Sequence, residues 1–241
     1  MRRTVKIDCF PESIRSYDAG WTVVAIDVIR ATTTAVTAVA QGRRCFAVQD
    51  LDEAWRAAAG MENPLLVGEL QGRMPLGFDL NNSPADIACR ADVQRPMILL
   101  SSSGTRLICG GRPGQTVYVA CLRNFSAQAR VLADEHDQVV LIGAGSRGTF
   151  REEDELCCAW IAGRLLTRGF QPHDPGTLAL VEYWTGAPVD AITAGDSARY
   201  LQESGQVRDL EFVLTHVDDL DTVCQSSAGE VYPVGVQVSA A

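Results

Sequence analysis

The chain has 241 residues, 21 Lys plus Arg against 30 Asp plus Glu, a formal charge of −9, and 46% hydrophobic residues. This length suits one large domain with its own core. The acidic balance argues against a nucleic-acid partner, because such binding draws on clustered Lys and Arg. The opening MRRTVKIDCF lacks the apolar run of a secretory signal, and stretches such as Val23 to Ile26 fall far short of the ~20 residues of a membrane helix. A soluble, cytoplasmic protein with no membrane partner is expected.

In chain order, Val5 to Cys9 and Thr22 to Ile29 read as strands. The second is apolar almost throughout, as in a sheet buried on both faces. Thr32 to Gln41 reads as a helix opened by a threonine cap and closed by Gly42. Arg44 to Val48, Leu51 to Ala59 and Leu65 to Val67 continue as strand, helix, strand. The irregular GELQGRMPLGFDLNNSPAD follows, a loop long enough to suggest function. The rhythm resumes with the strand Pro96 to Leu100, SSSGT, the strand Val117 to Ala120, the helix Phe125 to Glu135 and the strand Gln138 to Ile142. Glu152 to Arg168 is the strongest helix, acidic at its start and basic near its end. After Gly169 come helix-like pieces at Thr177 to Thr185 and Pro188 to Glu203, an alternating strand at Leu210 to Thr215, and the tail EVYPVGVQVSAA. The expected architecture is a three-layer α/β/α fold around a central mixed, mostly parallel sheet, one domain over 1–241, with room for a smaller substructure from about residue 170.

The eight cysteines form no C-x-x-C pair and sit mostly in apolar surroundings, so they read as packing. His136, His173 and His216 have no zinc-like spacing.

Four segments carry chemistry. In IDVIRATTTAV a strand ends at Asp27 and a helix opens on Thr32, Thr33 and Thr34, with Arg30 between. Ligands of α/β sheets lie off strand carboxyl ends, and a helix N-terminus favours anions. These residues suit a phosphate or sulfonate with a cation on Asp27; equally, the threonines cap the helix and Asp27 pairs with Arg30. In GELQGRMPLGFDLNNSP, Glu69 follows a strand and should reach the same crevice, with Arg73, Asp79, Asn81, Asn82 and Ser83 nearby. Such hard oxygens suit Mg²⁺; an ordinary solvated loop is the alternative. LLSSSGTRL repeats the strand-to-helix pattern through Ser102, Ser103, Gly104 and Thr105, a second anion cradle or a plain cap. In VVLIGAGSRGTFREEDELCCAW, Gly143, Gly145 and Gly148 satisfy G-x-G-x-x-G. A dinucleotide is not expected there, because Glu152, Glu153 and Asp154 occupy the helical turn that a pyrophosphate needs. A metal or a water-activating base fits those carboxylates better.

In this order and spacing, IDVIRATTTAV, GELQGRMPLGFDLNNSP, SSSGTR and GAGSRGTFREEDELCCA resemble the 2-phosphosulfolactate phosphatase family, with EVYPV similar to its closing segment. The resemblance implies a Mg²⁺-dependent hydrolase releasing phosphate from 2-phospho-3-sulfolactate or a related small phosphorylated acid, a step towards coenzyme M. It implies Asp27, Glu69 and Asp79 on the metal. Arg30, Thr32 to Thr34 and the Ser103 to Thr105 loop would lie on the phosphoryl oxygens, and Glu153 or Asp154 on the water. Arg73, Asn82, Ser83, Ser102, Asn124 and Gly145 join the substrate side. The sequence departs from the family with Asn81 for glycine, Ser102-Ser103-Gly104-Thr105 for Thr-Asn-Gly-Thr, and Arg151-Glu152 for Ser-Leu, changes that bear on which acid is read. A non-catalytic anion-binding or regulatory member of the same fold is the competing expectation. A homodimer is left open.

Overall fold

The structure is a computed structural model and describes residues 3–146 and 148–235; the end of the tail, 236–241, lies outside them. Ten strands form one sheet: β1 (Thr4–Cys9), β2 (Thr22–Ile26), β3 (Cys45–Val48), β4 (Leu65–Gly68), β5 (Met97–Leu100), β6 (Val117–Ala120), β7 (Gln138–Gly143), β8 (Gln171–Pro172), β9 (Cys224–Ser227) and β10 (Glu230–Pro233). Their spatial order is β4-β5-β3-β10-β9-β6-β2-β7-β1-β8. Nine helices accompany them among the described residues: α1 (Ala31–Ala40), α2 (Leu51–Ala59), α3 (Pro84–Ala88), α4 (Gly104–Ile108), α5 (Phe125–Glu135), α6 (Glu152–Thr167), α7 (Pro175–Trp184), α8 (Asp196–Glu203) and α9 (Val207–Thr215). The mixed, mostly parallel α/β sheet expected from the sequence is present.

Two parallel sets, β4-β5-β3 and β6-β2-β7-β1-β8, make up the two halves of the sheet. Three antiparallel pairings intervene, β3 with β10, β10 with β9, and β9 with β6. The tail is thus built into the middle of the sheet. The period of two along each strand divides the core into layers. Val24, Ile26, Tyr118 and Leu141 face α5 and α6, whereas Val23, Ala25, Val119 and Ile142 face α1 and α4. At the other edge, Ile98 and Leu100 pack under Ala54 of α2. Most strand residues are fully buried, which explains why β2 is apolar without alternation.

Two expectations after Gly169 are corrected, and one strand there is unforeseen. Leu210 to Thr215 is helical, within α9. Leu210, Phe212 and Leu214 fit an alternation while Leu210, Val213 and Leu214 fit a helical stripe, a tie that short segments leave to tertiary packing. Pro188 to Glu203 is not one helix: a 3₁₀ turn, Val189–Ala194, ends at Gly195 before α8. Cys224–Ser227 pairs as β9 although three of its four residues are polar. No helix among the described residues is long and apolar enough to cross a membrane. All eight cysteines are free; Cys89 is exposed, while Cys45, Cys121, Cys157, Cys158 and Cys224 are buried packing.

Candidate active site

The carboxyl ends of β2, β4, β5 and β7 open on one cleft of about 610 Å³, roofed by α8. Both halves of the sheet deliver residues to it, Asp27 and Gly145 from one, Glu69, Ser102 and Ser103 from the other. Asp27 lies directly after β2. Its Oδ1 accepts the Ala31 amide at 3.1 Å, and the Gly104 amide also donates to this carboxylate. Asp27 therefore closes the N-terminus of α1. The expected threonine cap is absent, since Arg30 holds the cap position without a side-chain cap bond. The hydroxyls of Thr32, Thr33 and Thr34 donate instead to the carbonyls of Asp27 (2.8 Å), Val28 (2.7 Å) and Arg30 (3.1 Å). All three threonines are buried, and none is among the residues lining the cleft. They brace the turn that presents Asp27 and Arg30.

Arg30 follows a cis peptide and pairs with Asp209, not with Asp27. Its Nη1 donates to Asp209 Oδ2 and Gln206 Oε1, each at 2.6 Å. Asp209 is completed by the Ser83 hydroxyl at 2.6 Å and the Ala85 amide at 3.2 Å. Asn81, a departure from the resembled pattern, donates to Gln206 Oε1 at 2.9 Å and so joins the same clamp.

Glu69 reaches the cleft as expected. The amides of Ser102 (2.7 Å) and Gly72 (2.6 Å) and the Ser102 hydroxyl (3.1 Å) donate to it. The second anion cradle thus already holds an anion of the chain itself. Thr105 is buried with its hydroxyl on the Ser101 carbonyl, and a Cβ at Gly104 would overlap Asp27 Oδ2. Asp154, in the first turn of α6, accepts the Val28 amide at 2.8 Å and the Gly145 amide at 3.2 Å, tying the loop after β7 to the turn after β2. Phe150 and Asp154 fill the space beside Gly143, so the glycine loop offers a pyrophosphate no floor.

Several expected residues stand elsewhere. Asp79 accepts the Leu66 amide at 2.9 Å and pairs with Arg95, outside the cleft; it does not join Asp27 and Glu69. Arg73 is exposed and does not line the cleft. Asn124 accepts the Cys121 amide and donates to the Thr222 carbonyl, each at 3.0 Å, holding α5 to the segment before β9. Ser83 caps α3 and supports Asp209. Asn82 does line the cleft, with Oδ1 buried and unpartnered. No local sequence signal marks Asp209, Gln206, Asp196, Ser197 or Arg199, which come from α8, α9 and the N-cap of α9, whereas Arg151, at the N-cap of α6, stands out only as a departure from the family pattern.

Burial drives the electrostatics. It pushes Asp27 up to about 6, with Glu69 adding repulsion against the Ala31 and Gly104 hydrogen bonds and Arg30. Glu153 is pushed up to about 7 by burial, against a Ser197 hydrogen bond, and Asp154 well above the carboxylate range by burial and then Glu153 and Asp27. Glu153 Oε2 is buried without a partner. These crowded carboxylates fit a cation. Among the described residues no three His, Cys, Asp or Glu side chains are placed to hold a metal. Two carboxylates, Asp27 and Glu69, are nevertheless what Mg²⁺ commonly takes from a protein, with waters and phosphate oxygens completing its shell.

Residues 9–229 match the model of a family described as 2-phosphosulpholactate phosphatase. The chain belongs to the 2-phosphosulpholactate phosphatase family. Among its relatives, a Pseudothermotoga lettingae protein named Probable 2-phosphosulfolactate phosphatase is 40% identical over 59% of this chain and 61% of its own length. A Synechococcus protein of the same name is 32% identical over 81% of this chain and 82% of its own. One from Caldanaerobacter subterraneus is 30% identical over 87% and 89%. The family is one of phosphoric monoester hydrolases.

Proposed function

We propose that the protein is a Mg²⁺-dependent phosphatase that hydrolyses 2-phospho-3-sulfolactate, or a closely related small phosphorylated acid, to the hydroxy acid and phosphate. The observation that carries this reading is the meeting of Asp27, Arg30, Glu69 and Glu153 in one cleft, drawn from three separate segments. Bound through Asp27 and Glu69, Mg²⁺ would supply a Lewis acid that offsets charge on the phosphoryl oxygens.

Phosphoryl transfer needs positioning and preorganised charge more than covalent chemistry. Arg30 supplies that charge. Asp209 and Gln206 fix its Nη1, so the guanidinium is held in place before substrate arrives, and its Nη2 is left with only a 3.4 Å approach to Asn81. Glu153 is the general base: burial pushes its carboxylate up to about 7, its Oε2 has no protein partner, and it takes a proton from the attacking water. Asp154 is occupied by two backbone amides and acts by holding the loop.

Asp27→Asn and Glu69→Gln test this assignment. Each is expected to stay folded by circular dichroism and to lose phosphate release from 2-phosphosulfolactate by ~10²-fold or more, as for removal of one preorganised charge. Full activity in either folded variant would contradict it.

A further inference from the structure

The cleft must bind a substrate that carries an acid group besides the phosphate, yet its lining is acidic. Among the described residues, Asp27, Glu69, Glu153, Asp154, Asp196 and Glu203 face three guanidiniums, those of Arg30, Arg151 and Arg199. Arg30 is paired with Asp209 at 2.6 Å, buried on both sides, and is assigned to the phosphoryl group. The two remaining cations share one carboxylate. Arg151 Nη1 lies 2.8 Å from Asp196 Oδ2, and Arg199 Nη1 lies 3.2 Å from Asp196 Oδ1. Two guanidiniums on one carboxylate leave one positive charge over.

Arg151 is the better placed of the two. It is buried at the N-cap of α6, two residues before Glu153, and its side chain is 11% exposed. Its Nε is buried and finds no partner in the protein. A buried donor left unmade is costly, and natural structures rarely keep one without a ligand or water. Nε and Nη2 form the edge of the guanidinium that grips an oxyanion by two parallel hydrogen bonds, and Asp196 occupies the other end. In a phosphorylated α-hydroxy acid the ester oxygen and the acid group are held on one short carbon chain, so both must be bound within one cleft.

We propose that Arg151, with Arg199 and their shared Asp196, forms a second anion subsite that reads the acid group of the substrate which is not transferred. This rests on the proposed phosphatase reading and assigns its specificity to a residue pair outside the metal and phosphoryl machinery. The subsite recognises a carboxylate or a sulfonate by the same fork.

The experiment measures kcat/KM in Mg²⁺ for 2-phosphosulfolactate, for 2-phospholactate, which lacks the sulfonate, and for 2-phosphooxyethanesulfonate, which lacks the carboxylate. Arg151→Gln is expected to lower the preference for the full substrate over one of the two analogues by at least ~10-fold, because a site built for a polar group discriminates strongly against its absence. The change should appear in KM more than in kcat, and Arg151→Lys should recover part of it. The analogue whose disadvantage disappears identifies the acid group that is read. Arg199→Gln, on a side chain 59% exposed, should lower the same ratio by a smaller factor and serves if the Arg151 variant does not fold. Equal losses on all three substrates would overturn the subsite while leaving the phosphatase reading intact. A wild-type protein that releases phosphate from none of them would overturn the phosphatase reading, and the subsite with it.

Discussion

Arg30 and Asp209 show what a single buried pair does for this site. Their side chains are 4% and 5% exposed and touch at 2.6 Å, and both are further satisfied by Gln206, Ser83 and Ala85. Removing one partner leaves an uncompensated buried charge, which costs about 3–5 kcal/mol. Asp209→Asn is therefore expected to lower the urea midpoint by an amount corresponding to about 3 kcal/mol. Activity should fall with it, because Arg30 loses its support. An unchanged midpoint would show that the pair is not what holds Arg30. Asp27, Arg30, Glu69 and Glu153 were legible in the sequence because strand ends and helix starts announce where a crevice lies. Asp209 was not, since it lies 179 residues from Arg30 and only the folded chain brings them together. The threonines of TTTAV misled for a related reason. A hydroxyl at a helix start can serve a ligand or its own backbone, and here the backbone carbonyls take all three.

At the scale of elements, the close approach of α4 to the turn after β2 sets the cleft floor. Gly104 is required by space, because an added Cβ would meet Asp27 Oδ2 and the Ala31 Cβ. Gly104→Ala is expected to displace Asp27 and reduce phosphatase activity by ~10²-fold, the usual effect of a misplacement near 1 Å, while far-ultraviolet circular dichroism stays native. Wild-type activity in this variant would mean that the α4 approach is not needed. The β-α rhythm up to Thr167 was readable, since apolar strands and capped helices carry distinct periods. The later elements were less so. The segment around Leu210 is too short for its period to decide between helix and strand, and Cys224–Ser227 is polar enough that only pairing with β6 and β10 makes it a strand.

Across the whole molecule, the charge of −9 takes on a local meaning. Asp27, Glu153 and Asp154 are carboxylates whose burial favours the protonated form. The native state then binds protons that the unfolded chain has already released, so these groups contribute most stability below pH ~4 and lose it as pH rises. For Asp27 and Glu153 the loss runs up to about 6 and about 7. Without divalent cation, Tm should decline across this window. Glu153→Gln should flatten the decline and raise Tm at pH 8, by ~2–4 °C for each kcal/mol recovered at this chain length. A lower Tm at pH 8 in that variant would contradict the proposed crowding of charge. The central claim is that this cleft hydrolyses a small phosphorylated acid with Mg²⁺. Its most direct test is phosphate release from 2-phosphosulfolactate by the purified protein, with Mg²⁺ and after treatment with EDTA. The account predicts multiple turnovers with Mg²⁺ and their loss with EDTA, restored by added Mg²⁺; binding of 2-phosphosulfolactate or sulfolactate without any phosphate release would contradict it.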